Sequence, residues 1–138
     1  MKLTSIMTKK VVTVGMDTTL GKIYEIFNQK KFHHLLVVED NQLCGVISDR
    51  DVLKAISPFL DTLAEQSRDL STLKKKAHQI MTRKPITISK ELSSKDAAKL
   101  ILQKNISCLP IVSSDGCIDG IVTWKDLLKA YSHCVDVA

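Results

Sequence analysis

Two short stretches carry residue types that could do chemistry: Ser48-Asp49-Arg50-Asp51 and Thr123-Trp124-Lys125-Asp126. Each follows a small–apolar–apolar run (GVI at 45–47, GIV at 120–122) and opens a helix-like sequence, DVLKAI or DLLKAY. A strand that hands over to a helix exposes free N–H groups and positive potential at the helix start, a seat for phosphate. The hydroxyl of Ser48 or Thr123 can donate to a phosphate oxygen, and Arg50 or Lys125 adds charge. A carboxylate repels phosphate, so Asp51 and Asp126 suit the two hydroxyls of a ribose, donors that need an acceptor. The same residues also read as plain helix starts. Ser48 or Thr123 is then the N-cap, and the Asp at the third helical position closes a capping-box pair and favours the helix dipole. Asp49 looks incidental, because its position in the second stretch is taken by Trp124.

The echo runs through the whole chain. IMTKKVVTV (6–14) lies over IMTRKPITI (80–88), FHHLLVV (32–38) over ISCLPIV (106–112), and GVISDRDVLKA (45–55) over GIVTWKDLLKA (120–130). The second copy has one extra residue between the last two blocks, where a hairpin turn is expected. Each copy opens with a short extended run (Val11–Val14; Ile86–Ile88). An amphipathic helix follows, with Leu20, Ile23, Ile26 and Phe27, or Ala97, Leu100 and Ile101, at helical spacing. Asp17-Thr18-Thr19 and Ser93-Ser94 supply the cap-type residues ahead of it. Next come an apolar strand (Leu35–Val38; Leu109–Val112), turn residues (Glu39–Gln42; Ser113–Gly116), a second strand (Cys44–Ile47; Gly120–Val122) and a final helix from near Asp49 or Trp124.

The order is β-α-β-β-α, twice, which makes the fold class α/β (α+β). A unit of about fifty residues buries too little surface to be stable alone. Two units packed sheet to sheet with pseudo-two-fold symmetry are therefore expected, one over residues 1–57 and one over 77–138. Ser57-Pro58 stops the first unit's last helix. Residues 58–76, with Phe59, Leu60, Leu63, Leu70 and Leu73 among polar residues, read as a helical connector, one helix capped by Thr62-x-x-Glu65.

Composition narrows the function classes. Of 138 residues, 44% are hydrophobic but only 4% aromatic, which disfavours an aromatic platform for stacked bases. The net charge of +5, from 20 basic and 15 acidic residues, favours phosphate-bearing partners. Its lysines are dispersed, and Lys74-Lys75-Lys76 reads as a solvated face. No apolar run approaches the roughly 18–20 residues of a membrane span, and no leader pattern opens the chain, so cytoplasmic residence is expected. Cys44, Cys108, Cys117 and Cys134 have no C-x-x-C spacing and read as small hydrophobes; with His33-His34 the only close His pair, no metal site is expected. Neither a nucleophile–His–acid spacing nor a Gly-rich phosphate loop is present, which argues against an enzyme. Of the His pair, one ring packing and one solvated is as good a reading as a phosphate contact; His78 and His133 read as surface. Trp124 fits a ligand base, a dimer neighbour or a partly buried surface position equally well.

The duplicated unit resembles a tandem cystathionine-β-synthase (CBS) domain pair, the Bateman module. The resemblance is carried by IMT..VVTV and IMT..PITI, by LLVVEDNQLCGVISDRDVL (35–53) and by LPIVSSDGCIDGIVTWKDLL (109–128). It covers nearly the whole chain, and the connector makes the chain similar to stand-alone modules of the AcuB type. The resemblance implies an adenosine-type regulatory ligand (AMP, ADP, ATP, S-adenosylmethionine or an NAD-type molecule) in clefts between the units, and no catalytic cofactor. Asp51 and Asp126 would hold the ribose, with Ser48, Arg50, His34, Thr123 and Lys125 at the phosphates. Val11, Val12, Thr13, Leu35 and Leu36 would surround one base, and Pro85, Ile86, Thr87, Cys108, Leu109 and Pro110 the other. Leu36 and Val11 replace prolines that the second copy keeps at Pro110 and Pro85. Either the first cleft has altered contours or these prolines are dispensable, and one cleft or both could be filled.

The resemblance further implies an energy-sensing homodimer, joined through helix faces around Ile23–Phe27, Val52–Ile56, Ala97–Ile101 and Leu127–Tyr131, that signals to a partner protein by population shift. Two other classes fit the residues less fully. One is an oligomerisation module whose clefts are vestigial, and the other a nucleic-acid binder exploiting the positive charge.

Overall fold

The computed structural model describes residues 2–137 of the chain. Met1 and Ala138, the outer ends of the bounds 1–57 and 77–138, lie outside the described residues, as do the side chains of 134–137, Cys134 among them. The described residues form two compact units: unit A, Val12–Lys84, and unit B, residues 2–11 together with 85–137. Sequence repeat and compact unit are thus different divisions of the chain, because the opening I-M-T segment of each copy is grouped with the body of the other.

Unit A runs β1 (Thr13–Gly15), α1 (Leu20–Gln29), β2 (His34–Glu39), β3 (Gln42–Ser48), α2 (Asp49–Ala55), α3 (Ser67–Ser71), a 3-10 turn at Thr72–Lys74, α4 (Ala77–Ile80) and β4 (Thr82–Arg83). Its sheet has the order β1-β2-β3-β4, with β1 parallel to β2 and the other neighbours antiparallel. Unit B contributes a 3-10 turn at Leu3–Ser5, then α5 (Ser94–Lys104), β5 (Cys108–Val112), β6 (Ile118–Thr123) and α6 (Trp124–Val137). The antiparallel β5–β6 pair is extended by one-residue bridges, Ile88 parallel to Ile111 and Thr8 antiparallel to Ile121. The same four-segment order is therefore present, with its edges reduced to bridges. The expected Ile86–Ile88 strand shrinks to Ile88, whose N–H donates to the Pro110 carbonyl at 3.1 Å and whose carbonyl accepts from Val112 at 3.0 Å. Pro85 just ahead has no N–H to add to a ladder.

Local chemistry explains most boundaries. The Thr19 hydroxyl caps α1 by accepting from Lys22 N–H, and Ser93 caps α5 by accepting from Asp96 N–H. Asn105 ends α5 in the left-handed conformation that Asn tolerates. The β2–β3 turn has Asp40 and Asn41 both at positive φ, as a two-residue hairpin matched to strand twist requires. Its counterpart is longer: Ser113 N–H donates to the Cys117 carbonyl across the loop and Gly116 takes the positive φ, so the extra residue sits in the turn. Both hairpins carry a register shift at the same place, between Val37 and Val38 and between Ile111 and Val112.

In the connector, the expected Thr62–Glu65 cap does not form. The Glu65 carboxylate accepts from Asp61 N–H at 3.0 Å, and the helix begins instead at Ser67, with Asp69 accepting from Gln66 N–H at 2.7 Å. Asp69 competes successfully because a second donor, the Ser57 hydroxyl at 2.6 Å, reaches its other oxygen. This pair ties the end of the first copy to the connector.

Each unit has its own core. In unit A, Leu20 and Ile23 of α1 and Val52 of α2 pack with Leu35, Val37 and Ile47 of the sheet. In unit B, Ala97 and Ile101 of α5 pack with Leu109, Ile111 and Val122, and Leu3 closes the cluster. The two signature glycines serve these assemblies directly. A Cβ on Gly45 would lie 2.5 Å from Met81 Sδ and 2.9 Å from the Thr82 carbonyl, and one on Gly120 only 2.6 Å from the Thr8 carbonyl. The bare backbone at each glycine lets an I-M-T segment lie against the sheet, where Thr8 exchanges both backbone hydrogen bonds with Ile121 at 2.8 and 2.9 Å.

Two predictions follow from these contacts. Gly45→Ala and Gly120→Ala should each lower stability by about 1–3 kcal/mol in urea denaturation, the usual cost of overpacking, with Gly120→Ala the worse because its nearest obstacle is a backbone carbonyl, whereas at Gly45 the nearest is the flexible Met81 side chain. Unchanged midpoints for both would show that the segments are not held there. The hydrogen bonds of Ser57 and Gln66 also hold the Asp69 carboxyl below its ordinary value. A depressed folded pKa contributes stability above the unfolded value, near 4, and loses it as pH falls through the folded one. The stability gap between wild type and Asp69→Asn should therefore be full near pH 6 and shrink as the pH falls below the ordinary carboxylate value of about 4; a gap that widens on acidification contradicts this assignment.

Candidate functional site

Unit A brings most of its sequence-selected residues to one end of its sheet. Thr13 stands opposite Leu36, and the Val12 carbonyl accepts from Leu36 N–H at 3.2 Å. His34, at the start of β2, stands opposite Ser48, at the end of β3, so their side chains leave the same sheet face. The His33 carbonyl then accepts from Asp49 N–H at 3.0 Å, fastening the start of α2 to the start of β2. Val11 is grouped with unit B. Unit B repeats the arrangement: Cys108 stands opposite Thr123, Trp124 N–H donates to the Ser107 carbonyl at 3.0 Å, and the Ile88–Pro110 bond sets the 85–88 run beside β5.

At both junctions the helix start is a capping box. Ser48 Oγ accepts from Asp51 N–H at 3.2 Å, and Asp51 Oδ2 accepts from Ser48 N–H at 2.8 Å. Thr123 Oγ1 accepts from Asp126 N–H at 3.2 Å, and Asp126 Oδ2 from Thr123 N–H at 2.9 Å. The cap consumes one carboxylate oxygen; among the described residues the other, Oδ1, makes no hydrogen bond in either Asp. Each cap hydroxyl accepts, which leaves its own O–H to donate. Capping and ligand binding are therefore compatible in one residue: the box fixes the rotamer and leaves an acceptor and a donor side by side.

Burial separates what the surrounding positions can offer. Leu35 and Leu109 belong to the cores, and Leu36, Cys108 and Pro110 are also buried. Thr13, Ile86 and Thr87 are exposed and Val11, Val12 and Pro85 half-buried, so these side chains can reach a neighbour. Arg50 is exposed and has no ion pair among the described residues. The Lys125 ammonium lies 5.9 Å from the centre of the half-exposed Trp124 ring, a cation–π distance.

One pair escaped the sequence reading. His33 Nδ1 lies 2.8 Å from Asp49 Oδ2, so Asp49 is not incidental and His33 is a half-exposed ring held by an acid. A signal was present: both partners change together in the second copy, to Ser107 and Trp124. The pair stands at one end of an open groove of about 470 Å³, floored by Tyr24, Phe27, Phe32 and Val52. Neither Ser48 nor Asp51 lines it. His78 also has a neighbour, with Nε2 3.9 Å from Asp17 Oδ1. Among the described residues no group of three or more His, Cys, Asp or Glu could hold a metal ion, and no helix is long and apolar enough to cross a membrane. Among the described residues Cys44, Cys108 and Cys117 are not joined in disulfides.

Comparison with known proteins places this geometry. The CBS domain family matches twice, at residues 3–58 and 77–133. A CBS domain-containing protein of Dictyostelium discoideum is 37% identical over 125 residues, covering 89% of this chain and 86% of its own. The solved CBS domain pair of protein MJ0100, in complex with 5′-methylthioadenosine and S-adenosyl-L-methionine, superposes with a TM-score of 0.80 at 25% identity, over 96% of this chain and 97% of its own. CBSX2 in complex with AMP superposes at 0.78 with 29% identity, again over 96% and 97%.

Removing either cap hydroxyl, Ser48→Ala or Thr123→Ala, should cost about 1 kcal/mol in urea denaturation, the usual worth of an N-cap. A neutral result at both positions would mean that the boxes do not support α2 and α6.

Proposed function

The chain belongs to the CBS domain family, and on that premise we propose that it is a non-catalytic regulatory module whose two strand-to-helix junctions bind an adenosine-type ligand. The observation that carries this reading is the pairing of two features. Solved CBS pairs alike over 96% of the chain hold AMP, or 5′-methylthioadenosine and S-adenosyl-L-methionine. And in this chain both junctions present a fixed carboxylate with one oxygen unused among the described residues.

In the proposed assignment Asp51 and Asp126 accept from the ribose hydroxyls through Oδ1. Ser48 and Thr123 donate to phosphate, helped by Arg50, His34 and Lys125. Thr13, Val12 and Val11, or Pro85, Ile86 and Thr87, flank the base with side chains, while the buried Leu35, Leu36, Cys108, Leu109 and Pro110 contribute shape and backbone. Occupancy is passed to a partner protein by shifting a conformational equilibrium, which for an adenine nucleotide amounts to energy sensing in the cytoplasm. Self-association through helix faces completes the proposal. Ile23, Val52, Ala97 and Ile101 are spent on the cores, so the residues left for such a face are Leu53, Leu102, Leu128 and Tyr131, all exposed.

Isothermal titration with AMP, ADP, ATP, S-adenosylmethionine and NADH tests the reading. At least one should bind the wild-type chain. Asp51→Asn or Asp126→Asn, which keep an acceptor for the cap, should weaken binding at the affected junction about tenfold or more, the scale of a lost charge-assisted hydrogen bond. If none of the five binds, the junctions are caps alone and the module is structural.

A further inference from the structure

We propose that the groove of unit A between α1 and α2 is a docking site for a partner protein, and that it takes an acidic segment carrying a large apolar side chain. The inference goes beyond ligand binding at the junctions: it adds where a partner is met and by what chemistry.

The duplication is an internal control on what the fold requires. The chain has three Phe, two Tyr and one Trp, and three of these six, Tyr24, Phe27 and Phe32, line this one groove. At the corresponding places the second copy has Ala98, Ile101 and Ile106, and with them it builds the same helix-on-sheet core. The rings are therefore more than the core needs. Phe27 and Phe32 lie 5.6 Å apart between ring centres, tilted by 52°, so they form one continuous apolar floor. Leu53, 67% exposed, extends that surface at the rim. His33 and Asp49 are likewise peculiar to the first copy, since Ser107 and Trp124 stand in their places in the second.

The occupant's charge follows from the rim. Lys30 and Lys31 line the groove, are exposed and have no ion pair among the described residues. Asp49 keeps its negative charge in its 2.8 Å bond to His33, and among the described residues it is the one carboxylate lining the groove. Counted over α1, α2 and the turn after α1, Lys22, Lys30, Lys31, Arg50 and Lys54 outnumber Glu25, Asp49 and Asp51. On either count a negative segment is attracted. The volume of about 470 Å³ is ample for a bound group, since ligand sites run from roughly 300 to 1,000 Å³. Because the groove is open and lies between two helices, it suits the side chains of a continuous peptide segment better than an enclosed small molecule. Leu53 is shared with the helix face proposed above for self-association, so a second copy is the competing occupant.

The probe is a random library of displayed peptides, selected on the wild-type chain. The enriched peptides should share acidic residues around a Trp, Phe or Leu. The tightest of them, synthesised and titrated by fluorescence anisotropy, should bind Tyr24→Ala about tenfold more weakly, the scale of a lost anchor contact. Lys31→Asn should weaken it about threefold at low ionic strength and less at high, as removal of a rim charge does. Both replacements are the residues that the second copy carries at the same places, Ala98 and Asn105, and Lys31 is exposed, so the fold is kept. Neutral or basic enriched peptides, equal binding by all three chains, or no enrichment at all overturns the proposal. So does a wild-type dimer in sedimentation that becomes a monomer in Tyr24→Ala, which assigns the groove to a second copy. None of these outcomes bears on nucleotide binding at the junctions, which calorimetry reads separately, so the two readings fail independently.

Discussion

The rest of this structure depends on two places where backbone meets backbone without a Cβ between them. At Gly120 the Thr8 carbonyl comes so close that an added methyl would sit 2.6 Å from it, and at Gly45 the Thr82 carbonyl and Met81 side chain do the same. These contacts are what allow the opening segment of each copy to join the sheet of the other. A sheet edge left bare would present unpaired N–H and C=O groups. Here the edge is filled by a segment that then continues toward the strand flanking a junction, at Val12–Thr13 or Pro85–Thr87. One glycine per copy therefore both completes a sheet and sets where the next stretch of chain begins.

The junctions show a related economy. An N-cap and a ligand-binding acid are usually weighed as rival explanations for an S/T-x-x-D sequence, yet the two oxygens of one carboxylate let both hold. The cap immobilises the side chain, and a preorganised acceptor loses less conformational entropy on making a further contact than a free one. The residues that do not take part in the cap are where the two copies part company. His34 against Cys108, Arg50 against Lys125 and Asp49 against Trp124 are the differences around an otherwise repeated geometry.

Much of this was legible beforehand because duplication tests every reading twice. The strand and helix order, the helix starts at Asp49 and Trp124 and the caps at Thr19 and Ser93 all rest on local spacing and hydrogen-bonding preference, and they stand where the residues put them. The misplaced features are those in which a local preference met a better tertiary partner. Thr62-x-x-Glu65 has the right letters for a cap, but Asp69 has two donors, Ser57 and Gln66, where Glu65 has Asp61 N–H. The Ile86–Ile88 run is apolar enough for a strand, yet Pro85 precedes it and a single residue pairs. Asp49 looked incidental because its partner His33 lies sixteen residues away, beyond any helical or strand periodicity.

By itself, the sequence determined the repeat, the element order, the capping residues and the identity of the charged groups at each junction, since all of these follow from short-range spacing. Only the tertiary structure decided which compact unit each I-M-T segment completes, that the signature glycines admit it, and that Asp51 and Asp126 keep one oxygen beyond the cap among the described residues. The reason is common to all three. Each is a contact between residues distant along the chain, or a vacancy defined by the lack of one, and neither leaves a period that a linear pattern can carry.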